Sequence, residues 1–167
     1  MQSQTNIQKR FEGFLNTPLL WREKTIKGLQ QFDFKTKFIK FESTINEKLR
    51  LGKYIEQFVF YQFNKENSIE VKAENIQIQK EKITLGELDC LLKKDNNYIH
   101  LEIVYKFYLL DTTVGNNEIE HFIGPNRNDS LNHKLDKLEK KQLPLLYSNE
   151  CREYLNNIKL PINKFKQ

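Results

Sequence analysis

Cysteine is almost missing from this chain: Cys90 and Cys151 are the only two. That scarcity excludes a disulfide framework of the small secreted kind and, with no cysteine–histidine spacing, a structural zinc cage. Proline and glycine are also sparse, at four and six residues. No glycine–serine linker, internal repeat or low-complexity tract divides the sequence. No run of about 18 apolar residues occurs, and the opening MQSQTNIQKRF lacks the apolar stretch of a signal peptide. The expectation is one domain over residues 1–167, soluble and cytoplasmic, with reduced thiols and no membrane partner.

Neither sign of charge dominates. Lysine and arginine number 27 against 22 acids, leaving +5 at pH 7. This basic lean suits a polyanionic partner without demanding one. At 38% hydrophobic and 29% charged, the composition is that of a globular domain able to bury a core.

Residues 7–31 carry Phe11, Phe14, Leu15, Leu19, Leu20 and Trp21 around Pro18, which predicts two short helices split at the proline. FDFKTKFIKFEST mixes aromatic and charged residues and reads as irregular, completing an N-terminal helical extension over 1–44. The core then occupies about 45–167. Leu49, Leu51, Tyr54, Ile55, Phe58, Val59, Gln62 and Phe63 share one broad face, predicting a helix over 45–64. Gly52 within it hints at a close neighbour, and Glu56 lies at the stripe's edge. Alternation predicts strands over 69–80, 83–92 and 98–110, in a meander. A polar loop over 111–123 follows. GPNR and Asn128-Asp129-Ser130 then supply turn and N-cap residues for a helix striped by Leu131, Leu135, Leu138 and Gln142 and ended by Pro144. A shorter helix is expected over 149–158.

The chemistry concentrates in GELDCLLKKDNNYIHLEIVYK, residues 86–106. Alternation puts Glu87, Asp89 and Leu91 on one face of their strand, and His100, Glu102, Val104 and Lys106 on one face of the next. A two-residue turn at Asn96-Asn97 sets Asp89 opposite Val104, with Glu102 and Lys106 as diagonal neighbours roughly 7–8 Å away. A four-residue loop over 94–97 instead sets Asp89 directly opposite Glu102. A three-residue loop puts the carboxylates on opposite faces and forbids a shared metal site. On the residues alone, Glu87, Asp89, Glu102 and Lys106 read first as the wet face of an antiparallel sheet, with Glu87 paired to Lys106 and His100 a structural hydrogen-bonding group. The lysines over 134–141 read as a solvated helix face.

A glutamate on the first core helix, an aspartate on the second strand and a glutamate on the third resemble the arrangement of the PD-(D/E)XK nuclease superfamily. At finer grain, RLGKYIEQ, LGELDCLL, HLEIVYKFYLL and GPNRNDSLNHKLDKLEKKQL are similar to the bacterial domain of unknown function family DUF1853, which is grouped with those nucleases. Its members read G-E-L/F-D, H-x-E-L-x-x-K-F-Y-L, G-P-N-x-x-D-x-L-x-x-K-L-x-x-L and Q-L. The likeness spans about residues 50–143. It implies an α+β fold with a restriction-endonuclease-like core: helix, three-stranded antiparallel meander, helix. The fourth core strand of that fold is either incomplete here or contributed by residues 160–166.

The resemblance further implies hydrolysis of phosphodiester bonds in nucleic acid, DNA more than RNA, with Mg²⁺ or Mn²⁺. Asp89 and Glu102 would be the metal ligands, the carbonyl of Ile103 a third oxygen, and Glu56 a ligand through water or to a second ion. Lys106 would be the catalytic lysine. The superfamily places its lysine two residues after the glutamate, where this chain has Val104, so either Lys106 folds back or Lys134 or Lys137 supplies the charge. Lys134, Lys137, Lys141, Arg127 and Gln142 would contact the nucleic acid. The competing expectation is a catalytically inactive nucleic-acid-binding or scaffold module on the same fold.

Overall fold

The first helix stops where a proline approaches. The computed structural model describes residues 2–22, 24–34 and 38–166. In it α1 spans Gln2–Leu15 and ends before Thr17-Pro18, because the residue preceding proline is pushed out of the helical region. Among the described residues the second helix expected before residue 31 does not form. Lys27 and Gly28 take φ of 51° and 72°, and the turn they make bridges Ile26 to Leu29. Residues 35–37 of the FDFKTKFIKFEST segment lie outside the described residues, and its described remainder is irregular as expected.

The core helix α2 covers Leu51–Phe63, shorter at its start than the apolar periodicity suggests. Ahead of it Asn46 Oδ1 accepts from the Lys48 N–H at 3.1 Å, a local turn that competes with helix. Tyr54, Ile55 and Phe58 pack against Phe11 of α1 and against Phe41. Phe63 packs against the sheet through Cys90 and Leu92. Gly52 does not mark a close neighbour, since an added Cβ there would meet nothing within 4 Å.

The sheet is the expected antiparallel meander of β1 (Ile69–Lys80), β2 (Ile83–Lys94) and β3 (Asn97–Leu101). Its tight turn is Asp95-Asn96, one residue earlier than Asn96-Asn97, with Asp95 at φ 54°, a conformation that aspartate tolerates. Lys94 therefore pairs with Asn97 and Cys90 with Leu101. This is the register that a four-residue loop would also have produced, and one further step brings Asp89 opposite Glu102. The third strand is much shorter than 98–110. After Leu101 the chain runs without a strand partner to β4 (Leu109–Leu110), which pairs with β5 (Phe122–Ile123). The first strand of that small ladder lies within the expected strand over 98–110, and the second within the stretch 111–123 that reads as polar loop. Within 160–166, β6 (Phe165–Lys166) adds a parallel fourth strand beside β3.

Ser130 caps α3 (Leu131–Lys137) by accepting from the His133 N–H. The helical path then widens to a π turn over Leu138–Gln142 and tightens to a 3₁₀ turn over Leu143–Tyr147. Pro144 does not end the path. It sits in the first positions of the 3₁₀ turn, where its missing N–H is not needed. Ser148 caps α4 (Asn149–Asn157). Leu146, Cys151 and Leu155 close over Ile76, Ile78, Leu88, Leu91 and Phe165. Gly86 lets Leu145 pack closely at this contact, because a Cβ there would lie 2.7 Å from Leu145 Cδ2. Among the described residues no helix is long and apolar enough to cross a membrane.

Candidate active site

The β2–β3 ladder ends at Cys90 and Leu101, and the next pair in register is Asp89 and Glu102. Here side chains replace the main-chain ladder. The Ile103 N–H donates to Asp89 Oδ2 at 2.9 Å, and the Asp89 N–H points to Glu102 Oε1 at 3.5 Å. Each acid is thus fixed by the other's strand.

Glu102 is almost wholly buried, its side chain 3% exposed. Its Oε1 lies 2.9 Å from His100 Nε2, and its Oε2 accepts from Gln142 Nε2 at 2.6 Å. Gln142 Oε1 in turn accepts from Lys134 Nζ at 2.7 Å. The π turn makes this reach possible: the widened turn brings Gln142, eight residues beyond Lys134, back over the same face. His100 is buried, and its Nδ1 has no partner among the described residues. The tautomer consistent with this carries its proton on Nε2 and donates to Glu102.

Asp89, half-buried beside a second carboxylate, resists ionisation. Burial, then the charge of Glu102, pushes Asp89 up to about 7, against the opposing Ile103 N–H. The charge of Glu56 adds to the upward push on Asp89, and burial raises Glu56 itself despite Lys53. Lys134 is moved down, first by burial and then by Lys137, while Glu102 and Asp89 oppose the shift.

Not every residue singled out by the sequence joins this group. Glu56 is buried, but its Oε2 accepts from Lys53 Nζ at 2.9 Å. The same ammonium reaches Asn75 Oδ1 at 2.6 Å and Glu87 Oε1. Lys106 is not brought to the acids by a hydrogen bond; its ammonium lies on Asp129. The expected Glu87–Lys106 pair is therefore absent, each partner being claimed by a different element. Arg127, at φ 60°, is bound to Asp111 at 2.9 Å. Lys137 and Lys141 are exposed. Lys53 and Asn75 escaped sequence reasoning. Lys53 could have been suspected from its i,i+3 spacing to Glu56, whereas Asn75 carries no such signal.

Among the described residues no group of three or more His, Cys, Asp or Glu side chains is arranged to hold a metal. A magnesium ion needs less than that, one or two carboxylates with water filling the rest. Asp89 and Glu102 fit this minimum. Asp89 Oδ1 has no protein donor among the described residues, and the mutual repulsion of the pair is what a hard cation would relieve. A hollow of about 720 Å³, lined by Trp21, Arg22, Lys24 and Gln30 among others, shares no residue with the pair.

Fold and site together describe an α+β domain whose half-buried acid pair sits where a β-hairpin opens. The chain belongs to the family described as "Domain of unknown function (DUF1853)", whose model matches residues 4–165. No curated protein and no solved structure matches it.

Proposed function

We propose that this protein is a divalent-metal-dependent phosphodiester hydrolase of nucleic acid, built on a restriction-endonuclease-like core. The observation that carries the reading is the convergence of Asp89 and Glu102 across the hairpin, with Lys134 linked to Glu102 through Gln142. A bound Mg²⁺ or Mn²⁺ would neutralise charge building on the phosphate and make attacking water more acidic. Asp89 and Glu102 would hold that ion. His100 and Gln142 keep the Glu102 carboxylate aimed, one on each oxygen. Lys134 takes the role assigned to Lys106 from sequence, placing an ammonium beside the acids where developing negative charge is stabilised. The second reading, an inactive module on the same fold, is favoured by Val104 at the usual lysine position and by the capture of Lys106 by Asp129.

Calorimetric titration with Mg²⁺ or Mn²⁺ separates the two. Saturable binding to the wild type that disappears in Asp89→Asn supports the hydrolase, and absence of binding to the wild type overturns it. In cleavage assays on labelled DNA and RNA, Lys134→Ala should lower kcat by about 100-fold or more. Lys106→Ala should act mainly on KM.

A further inference from the structure

Residues 102–108 leave the sheet at the acid pair and continue without a strand partner. The contacts of this segment sort its side chains onto two flanks. Lys106 falls on one, where it meets Asp129 and where its charge acts on Lys134. Tyr105 and Phe107 fall on the other. Tyr105 packs on the α1–α2 cluster, its hydroxyl 3.5 Å from Thr17 Oγ1. Phe107 stands edge-on to Tyr105, ring centroids 5.9 Å apart, and is 67% exposed. An aromatic ring so open contributes little to the core, yet it lies five residues from Glu102, at most roughly 17 Å of extended chain.

A single strand of nucleic acid has the same two-flank chemistry, phosphates along one side and unpaired bases with open faces along the other. A duplex does not, because its base faces are already stacked. The basic flank complements the phosphates: Lys134 lies beside the acids, and Lys137, next to Lys134, is exposed and has no carboxylate partner among the described residues. We infer that residues 103–108 form a track for single-stranded nucleic acid, one base stacking on Phe107 while the phosphates pass Lys106, Lys134 and Lys137 toward Asp89 and Glu102. The destination of the strand rests on the hydrolase reading; its binding to Phe107 does not. Stacking on aromatic side chains tolerates any base sequence, so the track selects strandedness rather than sequence.

The test is fluorescence anisotropy in EDTA at fixed ionic strength, using a short labelled oligodeoxyuridylate, an oligouridylate of the same length and a matching duplex. Either single strand should bind at least about tenfold more tightly than the duplex, and a preference between them identifies the sugar read at the track. Phe107→Ala should weaken single-strand binding about 5- to 100-fold, Phe107→Trp should restore it, and duplex binding should stay unchanged. Equal binding of strand and duplex overturns the inference, as does an unaltered Phe107→Ala. So does sedimentation showing that Phe107→Ala merely dissolves a dimer, which would make a second copy of the chain the true cover of this patch. Phe107-dependent strand binding without metal-dependent cleavage would remove the hydrolase reading alone. Cleavage by Phe107→Ala at wild-type efficiency on sub-saturating single strands would remove the track alone.

Discussion

Asp89 and Glu102 each take over a hydrogen bond that the partner strand would otherwise have made through its backbone. The Ile103 N–H turns to Asp89 Oδ2, and the Asp89 N–H turns to Glu102 Oε1. The hairpin opens at that point, and the two carboxylates are held together against their own repulsion by the geometry of the fork. Several measurements probe this arrangement and the contacts that support it.

Asp89→Asn should stabilise the fold, and more so in mild alkali than in acid. The Asp89 carboxyl is pushed up to about 7 from an ordinary 3.8. Between those values the unfolded chain has lost a proton that the native state keeps, so stability falls as pH rises through this window. Asparagine removes the penalty and can still accept from Ile103. With the shift discounted for partial solvent access and for its sharing with Glu102, the gain is about 1–2 kcal/mol. That corresponds to about 2–6 °C in melting temperature at pH 8, and to nearly nothing at pH 4. Equal gains at both pH values would show that Asp89 is not crowded.

Gln142→Leu removes the donor to Glu102 Oε2 and the acceptor of Lys134 together. Two partly buried polar groups lose their partner, which costs about 1–3 kcal/mol. Urea denaturation should show the loss, and Mg²⁺ titration should show weakened binding in the same variant. A wild-type midpoint in urea would mean that water replaces the amide without penalty.

Lys53→Met strands the buried Glu56 carboxylate. The single variant should lose about 1–3 kcal/mol, and adding Glu56→Gln should recover most of it. A double-mutant cycle in chemical denaturation measures the coupling. Strict additivity of the two changes would show that the pair does not interact.

The two glycines near the core should respond in opposite directions. Gly52→Ala, inside α2 with open space around it, should stabilise by about 0.5–1 kcal/mol. Gly86→Ala drives a methyl toward Leu145 and should destabilise by about 1 kcal/mol or more. Thermal melts of the two variants settle the comparison.

Much of the architecture was legible in the sequence because it depends on local periodicity. The strands at 69–80 and 83–94, the helix at 149–157 and the cap at Ser130 follow from alternation, apolar spacing and a hydroxyl at the right place. The failures have physical causes too. A helix after Pro18 was overridden by the positive-φ turn at Lys27 and Gly28. The long third strand broke because Asp89 competes with β2 backbone for the Ile103 N–H. Pro144 was tolerated because it fell at the start of a turn rather than inside one.

The candidate site divides along the same line. Residue types and spacing made Asp89 and Glu102 candidates, since two of the three simple hairpin registers bring the acids together, and the family resemblance raised them above a wet sheet face. The partners of those acids were settled only by folding. Lys106 went to Asp129, Glu56 to Lys53, and Lys134 to Gln142 beside Glu102. Ion-pair choice depends on which distant elements approach, and no local pattern encodes the path of the chain between them. The alternation of a β-hairpin is written in neighbouring residues; the π turn that returns Gln142 to Glu102, forty positions away in the chain, exists only once the helix has packed against the sheet.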